Sequence, residues 1–136
     1  MRESVSPRVQ QAVVAWFDAR NRRNLASWME TMTPEAVVHD PVGAAPASGR
    51  EELEETWNAT VGPFESLSIE ADDMFGGGDS VAVPWSGRVV GQGTGREIEI
   101  EGISVFEIDS EGRIETAMTW WDPGDALLRA AGEAVD

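Results

Sequence analysis

Hydrophobic positions recur at helical spacing near the start of the chain and at alternating spacing towards its end. Apolar residues three or four apart, from Val9 to Phe17, predict a first helix. Ser6 can cap that helix, and Pro7 occupies its first position. Two more helices are predicted from caps and apolar spacing, at about 25–32 and 50–60.

After Pro63 the pattern changes to alternating segments separated by turns rich in glycine and aspartate. Four strands are predicted there, at about 64–75, 80–90, 96–108 and 113–121. A shorter strand at 36–40 precedes the third helix, and a short helix at about 125–131 follows the last strand. Gly102 interrupts the alternation and is predicted to form a bulge.

Helices followed by a long antiparallel meander are typical of an α+β domain. The 136 residues predict one domain, spanning 1–136. We expect three helices packed on a curved antiparallel sheet that encloses a hydrophobic pocket, which would hold a small hydrophobic molecule. The outer sheet face is also fairly apolar, which favours a homodimer.

The net charge and the amino-acid composition exclude several kinds of partner and of chemistry. The net charge of −15 repels phosphates and anionic lipids, so neither nucleic acid nor membrane is an expected partner. No apolar run approaches the ~20 residues of a membrane span, and the start lacks a signal-like segment, so we expect a cytoplasmic protein. All ten basic residues are arginines, and cysteine and tyrosine are absent. Schiff-base and thiol chemistry are therefore excluded, and we expect neither a metal site nor a cofactor.

One segment carries a family resemblance. Residues 38–43 (VHDPVG), followed by Ser48-Gly49 and an acidic helix, resemble the Asp-Pro-Val-Gly region of bacterial ketosteroid isomerases and of polyether epoxide hydrolases and cyclases. The resemblance covers most of the chain and implies the nuclear-transport-factor-2-like cone. It implies that Asp40 is the acid/base that moves a proton on a steroid- or polyketide-like substrate. From spacing alone, Asp40 could equally be a turn residue before Pro41.

The chain differs from ketosteroid isomerases at the two residues that, in that family, donate hydrogen bonds to the negative oxygen of the reacting substrate (the oxyanion). The position of the family's tyrosine falls at Trp16, and that of its protonated aspartate falls at Ser104. Loss of a matched donor typically costs ~3–4 kcal/mol of barrier stabilisation, which disfavours steroid isomerisation. The polyether branch pairs the aspartate with a glutamate, for which Glu65 is the candidate and Glu70 the fallback. Glu65 could equally be an exposed charge at a strand end.

The candidate walls of the substrate pocket are four aromatic side chains: Trp16, Trp57, Phe106 and Trp121. Trp57 and Trp121, like Trp85 and Trp120, could equally belong to the core, but the resemblance implies that Trp121 lines the pocket. His39 is expected on the opposite sheet face from Asp40, since neighbouring strand residues alternate. The leading hypothesis is therefore an acid/base isomerase or cyclase with Asp40, Glu65 and Ser104 as catalytic residues. The alternative is a non-catalytic protein that binds a small hydrophobic molecule in the same cavity.

Overall fold

Four helices pack on a curved, mixed sheet in the computed structural model, which describes residues 5–132. The helices are α1 (Pro7–Asn21), α2 (Leu25–Glu30), α3 (Arg50–Thr60) and α4 (Pro123–Ala130). The strands are β1 (Met32–His39), β2 (Ala47–Ser48), β3 (Phe64–Ala71), β4 (Phe75–Gly77), β5 (Ser80–Gly91), β6 (Glu97–Ile108) and β7 (Ile114–Trp120). The predicted α+β cone is confirmed, with one helix more than the three expected on the sheet.

The first helix forms as its sequence predicts. The Ser6 hydroxyl accepts a hydrogen bond from the Val9 amide, and Pro7 occupies the first turn. Its buried face runs through Val9, Val13 and Trp16, which lie three or four residues apart. This stripe packs the helix against the inner face of the sheet.

The sheet runs in the order β2-β1-β7-β6-β5-β3, with β4 paired to β5. Its pairing is antiparallel except that β1 runs parallel to β7, so the sheet is mixed rather than purely antiparallel as expected. β1 begins at Met32, four residues before the predicted start, because Met32 pairs with Ile114. The Thr31 carbonyl also accepts from the Ile114 amide at 2.8 Å.

Gly102 does not form the predicted bulge. The β5–β6 pairing is continuous, and Gly102 lies directly opposite Trp85. A side chain at this position would place its Cβ 2.4 Å from Cζ2 of Trp85 and 2.6 Å from the carbonyl oxygen of Trp120. The glycine is therefore needed for the close approach of the indole ring.

Aromatic rings dominate the core between the helices and the sheet. The Trp28 ring lies 5.1 Å from that of Trp16 and 5.3 Å from that of Trp57, and Trp16 also meets Phe106 at 5.2 Å. All four side chains are buried. Within residues 5–132, no helix combines the length and the apolar character that crossing a bilayer requires.

Candidate active site

Asp40 directly follows β1 and continues its inward alternation. Ala36, Val38 and Asp40 are buried, while Val37 and His39 between them are half-buried. The Asp40 side chain is fully buried, with 0% of its surface exposed. The backbone after it is fixed by a hydrogen bond from the Val42 amide to the Thr119 carbonyl at 2.8 Å. The strand therefore delivers a carboxylate into the interior of the cone.

Both carboxylate oxygens of Asp40 accept strong hydrogen bonds. Arg20 donates from Nη1 to Oδ2 at 2.9 Å, and Trp121 donates from Nε1 to Oδ1 at 2.7 Å. Arg20 also donates from Nη2 to the Thr60 hydroxyl at 3.3 Å. The Arg20 side chain is only 7% exposed, so the two opposite charges form a buried ion pair. Such a pair is viable because every charge has a partner.

A small cavity lies beside this ion pair. It is lined by Trp16, Phe17, Arg20, Ile69, Trp85, Ser104, Thr119 and Trp121. Its volume is about 10 Å³. That is close to the ~10–15 Å³ needed for a single water molecule. The interior is therefore nearly filled by aromatic side chains, with one guanidinium and two hydroxyls facing the remaining space.

The two hydroxyls of the cavity are bonded to each other. Ser104 Oγ and Thr119 Oγ1 lie 2.8 Å apart, and Ser104 also accepts from Trp85 Nε1 at 3.0 Å. One O–H hydrogen is used in the Ser104–Thr119 bond, whichever residue donates it. The pair therefore retains one further O–H hydrogen that can be offered to a ligand.

Some of the predicted site residues line the cavity, and others do not. Trp16, Ser104 and Trp121 line the cavity together with Arg20. Phe106 lies outside the lining and supports it by packing on Trp16. Trp57 also lies outside the lining, where its indole packs on Trp28.

Glu65 is not brought to Asp40. Its side chain is exposed, whereas that of Asp40 is fully buried. The β3–β5 register shifts between Phe64 and Ser66, so Glu65 occupies an irregular position of the strand. The fallback, Glu70, is also exposed. Within residues 5–132, the cavity lining contains no carboxylate: Glu65 and Glu70 are absent from it, and Asp40 adjoins it only through Arg20 and Trp121.

Arg20 belongs to the candidate site, although it was not predicted from the sequence as a site residue. A basic residue near the C-terminal end of a helix is favourable through the helix dipole alone, so the local sequence gives Arg20 no further role. Arg20 follows Trp16 by four residues, so it continues the buried stripe of the helix. A charge on such a stripe requires a buried partner, which is the signal that could have linked Arg20 to Asp40.

Trp121 separates the cavity from a larger surface groove. This outer groove has a volume of about 700 Å³ and runs beside α4. Its polar walls include Glu70, Glu101, Asp122 and Arg129. Trp121 lines both spaces and is half-buried, and its ring packs edge-on against Trp85 at 5.8 Å. Among the described residues, Trp121 is the one that lines both spaces, and its indole is bound to Asp40.

Comparison with known proteins agrees with this fold. A steroid Delta-isomerase of Nocardioides simplex is 29% identical over 127 residues, which cover 93% of this chain and 100% of the isomerase. SalBIII, an epoxide hydrolase/cyclase-like enzyme in pyran ring formation of the polyether salinomycin, superposes with a TM-score of 0.73. It is 26% identical, over 83% of this chain and 89% of its own. A Delta 5-3-ketosteroid isomerase from Mycobacterium sp. superposes with a TM-score of 0.72 at 18% identity, over 85% and 93%.

These observations define a cone-shaped α+β protein whose relatives are isomerases and cyclases. The model of the SnoaL-like domain family matches residues 13–117. The chain therefore belongs to the SnoaL-like domain family.

Proposed function

We propose that this protein is an acid/base enzyme that transfers a proton on a hydrophobic, steroid- or polyketide-like small molecule, with Asp40 as the acid/base. One observation carries the proposal: a fully buried carboxylate is held by Arg20 and Trp121, and both partners line the aromatic cavity beside it. A buried ion pair is weak evidence for stability alone, because apolar residues of similar size often serve as well. Both partners of Asp40 lie in the wall of a cavity, which supports a catalytic use; Asp40 itself does not line that cavity, so this use requires movement of Trp121, whose indole is bound to Oδ1.

Arg20 supplies what the missing tyrosine would otherwise provide. Its guanidinium carries five N–H groups, and two of them are bonded among the described residues, to Asp40 and Thr60. The others can stabilise an oxygen that becomes negative when Asp40 removes a proton from the substrate. The free hydrogen of the Ser104–Thr119 pair is a second donor to the same space. Arg20 therefore has two roles: it binds the proposed base, Asp40, and it donates hydrogen bonds to the oxygen that becomes negative.

A single carboxylate favours isomerisation over epoxide-opening ring closure. In isomerisation Asp40 takes a proton from one carbon and returns it to another, so no second acid is required. Ring closure at an epoxide needs a proton for the epoxide oxygen as well as a base for the nucleophile. A guanidinium donates hydrogen bonds in proteins without releasing its proton, so Arg20 cannot serve as that acid. Ring closure remains the second reaction to test, since the cyclase relative shares this fold.

Substrate entry requires Trp121 to move. The present cavity of about 10 Å³ cannot admit a polycyclic molecule, whereas the outer groove of about 700 Å³ can. Trp121 is half-buried, while the other aromatic residues of the lining are buried. We place the entrance at this side chain.

Two substrates distinguish the reactions. The purified protein is given a Δ5-3-ketosteroid and, separately, an epoxide with an internal hydroxyl. Formation of a conjugated ketone is followed by absorbance, and ring closure by mass spectrometry and chromatography. We expect turnover of the ketosteroid that is lost in Asp40→Asn and unchanged in Glu65→Gln, since Glu65 is exposed. Turnover of the epoxide alone, sensitive to Glu65→Gln, would contradict the single-carboxylate mechanism.

A non-catalytic binding protein is the second candidate. It is favoured by the engagement of both Asp40 oxygens and of the two cavity hydroxyls within the protein. In that case Asp40 would hold α1 and β1 together rather than react. A steroid that binds tightly but is never converted, by either the native chain or its Asp40→Asn variant, would identify this function.

We also propose a homodimer formed through the outer face of the sheet. Ile103 and Trp120 lie directly opposite each other on β6 and β7, and they are 49% and 43% exposed. The adjacent pair, Val105 and Met118, is half-buried. Four apolar side chains thus form one continuous outer-sheet patch, which is typical of an interaction surface.

Trp120→Glu is expected to convert the dimer into a monomer, because a charge would be buried at the centre of the contact. Light scattering coupled to size-exclusion chromatography measures the mass. Val14→Glu is the matched control, since Val14 is 51% exposed but lies on α1. A native chain that elutes as a monomer would refute the proposal.

A further inference from the structure

A second groove, apolar at its floor, lies between α2 and the beginning of α3. Its volume is about 730 Å³, within the ~300–1,000 Å³ range of small-molecule sites. The floor is formed by Leu25, Met29, Met32 and Leu53. This α2–α3 groove shares no lining residue with the small cavity beside Asp40, so it is a separate site.

Two arginines that form no ion pair within residues 5–132 lie along the same groove. Arg50 begins α3 and Arg113 precedes β7, and both line the groove. Within residues 5–132, six arginines donate hydrogen bonds from their guanidinium groups, whereas Arg50, Arg96 and Arg113 do not. Two of these three exposed arginines lie beside one apolar cleft. They bring positive charge to the groove, and Arg113 also lines an adjoining cleft whose walls include the acids Glu35, Asp109, Glu111 and Glu115.

We propose that the α2–α3 groove binds a small amphipathic monoanion, namely an acyl or aryl carboxylate. The apolar body would cover the four floor residues, and the carboxylate would lie between Arg50 and Arg113. A planar guanidinium matches a carboxylate in charge and geometry. The groove is also lined by Glu30, and Glu51 and Glu52 lie in the first turn of α3. These acids and the net charge of −15 oppose polyanions such as phosphates, which is why we assign a monoanion.

The probe for this site is decanoate, titrated calorimetrically into the full-length protein. Arg50→Gln and Arg113→Gln are each expected to weaken decanoate binding by roughly 3–10-fold, because each removes one charge-assisted contact. Arg96→Gln is the matched control, since Arg96 is exposed and lies outside the groove. Decanol, which has the same chain length without the charge, is expected to bind at least about tenfold more weakly than decanoate.

Four results would overturn the proposal. The first is no decanoate binding at millimolar concentration, and the second is equal binding of decanol. The third is equal weakening by Arg96→Gln, which would show an effect of overall charge only. The fourth is loss of binding in Asp40→Asn without any effect of Arg50→Gln or Arg113→Gln, which would place decanoate in the other cavity. All four outcomes are independent of whether the protein turns over a steroid.

Discussion

Asp40→Asn is expected to abolish turnover and also to destabilise the protein. Removal of a general base lowers a rate by typically ~10²–10⁴-fold. The same change leaves the buried Arg20 guanidinium without its counter-charge, which typically costs about 3–5 kcal/mol of the free energy of unfolding. Asparagine can still accept from Trp121 Nε1, so the fold itself should persist. Chemical denaturation measures the loss of stability, and substrate turnover measures the loss of rate.

A double-mutant cycle separates the two effects. Arg20→Gln combined with Asp40→Asn removes both charges, and we expect it to recover part of the stability lost in Asp40→Asn but none of the activity. Asp18→Asn is the matched control, because it breaks an exposed ion pair with Arg22 on the surface of α1. That change should leave the unfolding free energy nearly unaltered. An Asp40→Asn protein as stable as the native one would contradict the buried ion pair.

Gly102→Ala is expected to destabilise the protein and to displace Trp85 from the cavity wall. The new Cβ would lie 2.4 Å from the indole and 2.6 Å from a backbone oxygen, and neither is a flexible chain end. Overpacking of this kind typically costs about 1–3 kcal/mol. Movement of the Trp85 ring would also break its hydrogen bond to Ser104, which changes the cavity beside Asp40. Denaturation midpoints and substrate affinity are the two measurements.

Gly77→Ala is the control for this substitution. Gly77 also lies in a strand, but a Cβ there would meet no atom within 4 Å. Removing a glycine at such a site restricts the unfolded chain and is neutral or slightly stabilising. If both variants were destabilised equally, the close approach of Trp85 would not explain the need for Gly102.

Local signals in the sequence predicted most elements, and long-range pairing accounts for the errors. α1 was predictable because its cap, its first-turn proline and its apolar stripe all lie within one short segment. The start of β1 was not predictable from the sequence, since it depends on pairing with Ile114, more than 80 residues away. The parallel β1–β7 pairing has the same origin, because nothing near residue 32 specifies which strand will lie beside it.

The candidate site was predicted only in part, for similar reasons. The VHDPVG segment and strand alternation together located Asp40 in the interior. Glu65 was misplaced because the register of β3 shifts beside it, and such a shift moves a side chain to the other face. Arg20 was overlooked because a charge near a helix end has a sufficient local explanation. Only its place on the buried stripe of α1 indicates a distant partner.

The contacts of Trp57, Trp28 and Trp16 have an optical consequence. The three indoles meet in series, tilted by 47° and 57° at successive contacts, with Phe106 edge-on at the end. Electronic transitions of indoles held this closely in fixed, tilted positions interact, and they give a strong near-ultraviolet circular dichroism signal. That signal requires fixed side-chain packing and vanishes when packing loosens while helices and strands remain. The near-ultraviolet circular dichroism of these indoles therefore distinguishes the packed native protein from a state in which side-chain packing has loosened.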